Sequence, residues 1–192
     1  VFILGAGDMP IPAIRAAREP GWKSVVADAN PGAPGAVLAD RFLAVDLKDR
    51  EGLVLAARGI RADLGLDGVF TAGTDFSASV AWVAQELGLP GIPYETALKA
   101  SDKLRMRAAF AAAGVPSPRF AAALSPDDPA IAAAGLRFPL VVKPADSMGS
   151  RGCRAVSDVE ELSAAIEAAL PHSRSGRAIV EEYIEGPEFS ID

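Results

Sequence analysis

The chain has 192 residues, 50% of them hydrophobic, with 19 basic and 25 acidic side chains and a formal net charge of −6. Such a chain can bury one large or two small cores, while its acidic balance, with no basic patch or stripe, argues against a nucleic-acid partner. A single cysteine excludes an internal disulfide framework and fits a reducing cytosol, and neither a signal-peptide pattern nor an apolar run near the ~18–20 residues that span a bilayer is present, so a cytoplasmic protein with no membrane partner is expected.

Val1–Leu4 reads as a buried strand turning at Gly5-Ala6-Gly7, and Ile11, Ile14 and Ala17 recur at helical spacing up to Arg18. Lys23–Ala27 is a second strand ending at Asp28, Phe42–Val45 a third, Glu51–Arg58 an amphipathic helix, and Gly68–Phe70 a short fourth strand. A helix from Phe76 to Leu87 follows, with Val80, Val83, Ala84 and Leu87 on one face. Strands alternating with helices imply parallel pairing and right-handed crossovers. Residues 1–93 are therefore expected to form a Rossmann-like α/β unit with a parallel sheet.

Gly5-x-Gly7 after a strand, with Asp28 roughly 20 residues on, also invites the dinucleotide-binding fingerprint and an NAD-dependent oxidoreductase. Pro10 stands where the third glycine should fall, and proline starts a helix without giving the close helix–strand approach that glycine allows. At the carboxyl ends of the strands, where α/β sheets bind ligands, Gly7, Asp8, Thr74 and Asp75 are candidates for a substrate side. Loop residues that merely cap helices fit these positions equally well.

Pro90-Gly91-Ile92-Pro93 punctuates the chain. Residues 94–118 read as linking helices, broken near the cap Ser101-Asp102, and Arg119–Ala122 as a strand. Ser125-Pro126-Asp127-Asp128 reads as an N-cap with proline at the first helical position, opening a helix to about Ala134. Strands Leu140–Val142 and Cys153–Val156 flank a loop, after which Ser157-Asp158-Val159-Glu160 reads as a capping box for a helix with Val159, Leu162, Ile166 and Leu170 inward. Cys153 reads as a small buried hydrophobe and His172, in the polar stretch Pro171–Arg177, as exposed; neither receives a role.

Two segments carry chemistry. In Phe138–Gly152 an apolar run ends in Lys143 and opens into Asp146-Ser147-Met148-Gly149-Ser150-Arg151-Gly152, where small side chains let backbone N–H groups approach an anion and two cations flank it. In Ala178–Asp192 an apolar strand reaches Glu181 and Glu182, continues through Tyr183 and Ile184, and turns at Gly186-Pro187. Alternation then sets Glu188, Ser190 and Asp192 on one face, with Phe189 and Ile191 on the other.

These segments, with Ser101-Asp102-Lys103-Leu104-Arg105 and Ala113-Gly114-Val115-Pro116 upstream, resemble the ATP-grasp superfamily of carboxylate–amine ligases over most of the chain. The pattern looks closest to the carbamoyl-phosphate-synthase-like and amino-acid-ligase branch, and the glycinamide ribonucleotide enzymes share the architecture. The resemblance implies an α+β small ATP-grasp subdomain over 119–178 and the start of a second subdomain over 179–192. It implies ATP and Mg²⁺ as cofactors, with Lys103 and Lys143 on the phosphates. The loop residues Ser147, Met148, Gly149, Ser150 and Gly152 would close over them, and Arg151 would meet the transferring group. Glu181, Glu182, Tyr183 and Ile184 would hold adenine, and Glu188 the ribose hydroxyls. The chain reads as a fragment, inactive alone, with the magnesium ligands further downstream. Small-molecule carboxylate and amine substrates are implied, and a homodimer is compatible. A non-catalytic ATP- or metabolite-binding module is the remaining alternative, against which the retention of Lys103, Lys143, Glu181 and Glu188 argues.

Overall fold

In the computed structural model, which describes residues 1–187 and 189, the opening run Phe2–Leu4 forms β1 and is wholly buried. After it come α1 (Ile11–Ala16), β2 (Val25–Asp28), a 3₁₀ turn at Ala36–Leu38, β3 (Arg41–Ala44), α2 (Arg50–Leu64), β4 (Val69–Phe70), α3 (Ser77–Leu87) and α4 (Tyr94–Ser101). The strands lie in the order β3-β2-β1-β4, all parallel. Alternation splits their side chains between two cores, as a sheet covered on both faces requires. Phe2, Leu4, Val25 and Ala27 pack with Leu53, Ala57 and Ile60 of α2 and Val83 of α3, while Ile3 and Val26 pack with Ile14 of α1.

Helix α2 outruns its expected end at Arg58, because the stripe Leu53, Ala57, Ile60 carries the buried face past Gly59. Asp49 caps its start by accepting from the Gly52 N–H, and Gly65, at φ 72°, ends it.

The chain divides into two compact units, Val1–Leu98 and Lys99–Asp192. The second contains α5 (Lys103–Ala112), β5 (Phe120–Ala123), α6 (Pro129–Ala133), β6 (Leu140–Pro144), β7 (Arg154–Val156), α7 (Val159–Ala169), a 3₁₀ turn at Leu170–His172 and β8 (Ala178–Glu182). Its sheet, ordered β5-β8-β6-β7, is antiparallel throughout. Leu140, Val142, Ala178 and Val180 turn one face onto Leu162, Ala165, Ile166 and Ala169 of α7. The expected α/β class, a parallel-sheet unit and then an α+β unit, is the one observed.

Four local expectations are corrected. Helix α6 is capped by Asp128, which accepts from the Ala130 N–H, so Pro129 rather than Pro126 takes the first helical position. The α7 cap lies one residue later than expected: Asp158 accepts from the Glu161 N–H, and the Glu161 carboxylate accepts from the Ser157 N–H. That shift turns Val159 outward, 69% exposed, and brings Ala165 and Ala169 in beside Leu162 and Ile166. Cys153 is exposed, just outside the first residue of β7. Among the described residues no helix is long and apolar enough to cross a membrane.

Candidate functional site

The face of the second sheet opposite α7 carries Lys143 and Glu181. Val141 of β6 is directly across from Glu181 of β8, so Lys143, two residues along, is the diagonal neighbour of Glu181 on the same face. The Lys143 Nζ lies 2.8 Å from Glu181 Oε2, and Arg107 Nε, from α5, lies 2.5 Å from Oε1. Glu181 is only 3% exposed. Burial pushes its carboxyl upward, but the bonds and charges of Arg107 and Lys143 outweigh this and hold it below the usual carboxylate range.

Lys103 is the first residue of α5, where the helix dipole disfavours a cation. Its ammonium turns back to donate to the carbonyls of Pro144 at 2.9 Å and Ser147 at 2.7 Å, and its N–H donates to Ala145 O. Burial first, then the nearby Lys143 charge, lower its pKa; Asp146, Cys153 and Glu181 act in the opposite sense. The two lysines therefore share one neighbourhood. Asp102 fixes this arrangement: Oδ1 accepts from the N–H groups of Leu104 and Arg105, and Oδ2 meets Arg177 Nη2 at 2.6 Å.

The small-residue loop is pinned at both ends. Asp146 accepts from the Ser173 hydroxyl and from the N–H groups of Arg174 and Ser175, which hold its carboxyl low against the upward push of burial. Gly152, at φ 68°, has no room for a Cβ, which would meet Ala169 Cα at 3.2 Å and His172 Cδ2 at 2.9 Å. Between them Met148, Gly149, Ser150 and Arg151 are exposed, with Gly149 and Ser150 at φ 74° and 56°. Ser147 bonds back through its carbonyl to Lys103.

Lys143, Glu181, Val141, Tyr183 and Ile184 border a cleft of about 390 Å³. Glu182 also reaches its wall, but its carboxylate is bound by Arg119 (Nη2 at 2.5 Å) and by the Arg137 N–H. Its backbone N–H donates to Arg119 O, and the Tyr183 N–H donates to Pro139 O. Glu188, Ser190, Ile191 and Asp192 lie outside the described residues.

In the first unit, Gly7, Asp8 and Thr74 line a separate cavity of about 400 Å³ at the carboxyl ends of the strands, with Asp28 and Asp46. Asp75 is adjacent to Thr74 in sequence but is not one of the lining residues. Gly5, at φ 109°, is held close to Thr74, whose Cγ2 a Cβ would meet at 2.7 Å. The Asp28 carboxylate accepts from the N–H groups of Ala6 and Asn30. It thus ties the turn after β1 to the loop after β2, and a carboxylate so engaged disfavours the dinucleotide reading. Sequence reasoning missed Arg107, although it stands one turn beyond Lys103 on the same helix, a spacing that places both on one face.

Residues 83–192 match the family described as D-ala D-ala ligase C-terminus. The chain belongs to this ATP-grasp family. A D-alanine–D-alanine ligase of Stutzerimonas stutzeri (strain A1501) is 42% identical over 106 residues, covering 53% of this chain and 33% of that protein. The chain thus spans about one third of the length of the curated relatives it matches. The crystal structure of an L-amino acid ligase from Bacillus licheniformis has the same fold, with a TM-score of 0.69 at 24% identity, over 97% of this chain and 44% of that one. That of N5-carboxyaminoimidazole synthetase from Staphylococcus aureus, complexed with ADP, gives 0.70 at 18% identity, over 95% and 47%. The ATP-grasp resemblance drawn from Lys103, Lys143 and the 178–192 segment is therefore a family membership.

Proposed function

We propose that this chain is the nucleotide-binding part of an ATP-dependent carboxylate–amine ligase. The observation that carries the reading is the Lys143–Glu181 pair at the wall of the 390 Å³ cleft, beside Lys103 and the pinned small-residue loop. The donor set fits ATP: two partly buried ammonium groups lie close enough for one to depress the other's pKa, and a polyphosphate relieves that repulsion. A buried ionised carboxylate is a hydrogen-bond acceptor for an exocyclic amino group, and the cleft volume falls in the range of ligand pockets.

ATP supplies the phosphoryl group that turns a carboxylate into an acyl phosphate, from which an amine displaces phosphate to form an amide. In this reading Lys103 and Lys143 neutralise phosphate charge, which phosphoryl transfer needs more than acid–base groups. The loop Ser147, Met148, Gly149, Ser150 and Gly152 closes over the phosphates and excludes water, with Arg151 at the transferring group. Glu181, the backbones of Glu182 and Ile184, and Tyr183 hold the base, and Glu188 the ribose. Gly7, Asp8, Thr74 and Asp75 face the substrate side.

Residues 1–93 act as the pre-ATP-grasp domain, 94–118 as linking helices, 119–178 as the small subdomain and 179–192 as the start of the next. Among the described residues no group of three or more His, Cys, Asp or Glu is arranged for a metal, and the proposal assigns no magnesium ligand to them. The partners are a small-molecule carboxylate and an amine, in the cytoplasm. Support comes from the D-alanine–D-alanine ligases among the relatives and from the ADP complex of the S. aureus enzyme, which shares the fold. Calorimetric titration of the full-length protein with ATP and with NADH tests the reading: ATP binds and NADH does not. The reverse result overturns it.

A further inference from the structure

Glu181 is shared by two cations of different standing. Both line the cleft, Lys143 from β6 and Arg107 from α5, and Arg107 is the less exposed of the two, at 19% against 28%. If Lys143 holds phosphate, as proposed above, its ammonium is drawn toward the nucleotide and its hold on Glu181 weakens. A carboxylate buried this deeply cannot lose its partner without a replacement or a proton.

The charged groups facing it can be named from each side. Lys103 and Arg107 come from α5 and Lys143 from β6, while Phe120 of β5 sits directly across from it and brings no charge. Its neighbour Glu182 is engaged by Arg119 and the Arg137 N–H. Lys103 acts on Glu181 only through its field, its ammonium being bonded to the carbonyls of Pro144 and Ser147. Arg107 is thus the contact that persists once Lys143 turns away.

We infer that Arg107 is a positioning residue for nucleotide recognition, the standing counter-ion that keeps Glu181 ionised and aimed as an acceptor while Lys143 moves to the phosphates. Its role is to separate two demands made on one carboxylate. Glu181 gives Lys143 a partner before the nucleotide arrives, and afterwards it reads the amino group of the base without taking up a proton. The inference rests on the ATP reading and adds a specificity consequence. An ionised Glu181 accepts from a 6-amino purine and repels a 6-oxo purine, whereas a protonated one can donate to the 6-oxo group.

The test is binding of ATP and of inosine triphosphate to the full-length protein between pH 6 and 8, for wild type, Arg107→Gln and Arg107→Lys. Gln keeps a hydrogen-bond donor of similar reach without charge, and Lys restores the charge. Wild type should prefer ATP with a preference that changes little over this range. Arg107→Gln should bind ATP at least tenfold more weakly at pH 8, recover several-fold toward pH 6, and lose most of its preference over inosine triphosphate. Arg107→Lys should recover much of both. A merely structural arginine would weaken both nucleotides equally at every pH, and that result overturns the inference. So does Arg107→Gln binding with wild-type affinity and preference. If wild type itself binds no ATP, the underlying nucleotide reading has failed instead. Should Arg107→Gln not fold, Arg107→Lys decides: its ATP preference must match wild type within a few-fold, and a preference lost despite the retained charge contradicts the role.

Discussion

Lys143 of β6 and Glu181 of β8 are diagonal partners on the sheet face turned away from α7, joined at 2.8 Å. The same alternation that buries Val142 and Val180 against α7 delivers these two charges to the other face. Core packing and site assembly thus depend on one register, and a slip of a single residue would exchange the two faces.

The acid limb of stability follows from this pairing. Glu181 and Asp146 both have folded pKa values below the ordinary carboxylate range, because charged and hydrogen-bonding partners outweigh burial. Their stabilisation is fully present above the unfolded values, about 4, and is lost as pH falls through the lowered folded values. Thermal unfolding followed by circular dichroism from pH 7 to pH 2 should show melting falling below about pH 4. In Glu181→Gln it should start lower at pH 7 and fall less steeply. Parallel curves for the two proteins would count against the carboxylate's role.

The loop glycines should differ in cost. Gly149 has positive φ but open space around a Cβ, so Gly149→Ala should cost about 1–2 kcal/mol. Gly152 adds contacts with Ala169, Pro144 and His172 to a positive φ, so Gly152→Ala should cost about 2–4 kcal/mol. Urea unfolding measures both, and equal losses would show that the base of the loop is not pinned as described.

Asp102 both caps α5 and meets Arg177. Asp102→Ala should destabilise the protein by about 1–3 kcal/mol, and Asp102→Asn, which keeps a capping oxygen, by clearly less. Chemical denaturation of the two variants compares them directly; a loss in the Asn variant as large as in the Ala variant would assign the effect to the ion pair rather than the cap.

The cavity of the first unit should act on substrate alone. Asp8→Asn and Thr74→Val should raise KM for the carboxylate or amine several-fold while leaving ATP affinity within about twofold, measured by ADP release and calorimetry. A large loss of ATP affinity in either variant would contradict a separate substrate side.

The strands and most helices were legible because each carries its own period: Leu140, Val142 and Pro144 are buried, Val141 and Lys143 less so, and α2 shows its stripe at 53, 57 and 60. Caps were ambiguous where two eligible residues stand together. Ser157 and Asp158 both suit an N-cap, as do Ser125 and Asp128 each with a proline next, and only the hydrogen bonds to Glu161 and Ala130 decide. The Lys143–Glu181 contact was not legible. Its partners lie 38 residues apart, and the register of β6 against β8 is set by α7 packing beneath them. Arg107 was hidden for a related reason, since helical spacing aligns it with Lys103 but cannot say which sheet face the helix covers.

The central claim is that Lys143 exchanges Glu181 for phosphate when ATP binds. Calorimetry of wild type and Lys143→Met with ATP and with adenosine tests it most directly. Lys143→Met should lose about 1–3 kcal/mol of ATP affinity and leave adenosine affinity nearly unchanged. Unchanged ATP affinity, or an equal loss for both ligands, would contradict the account.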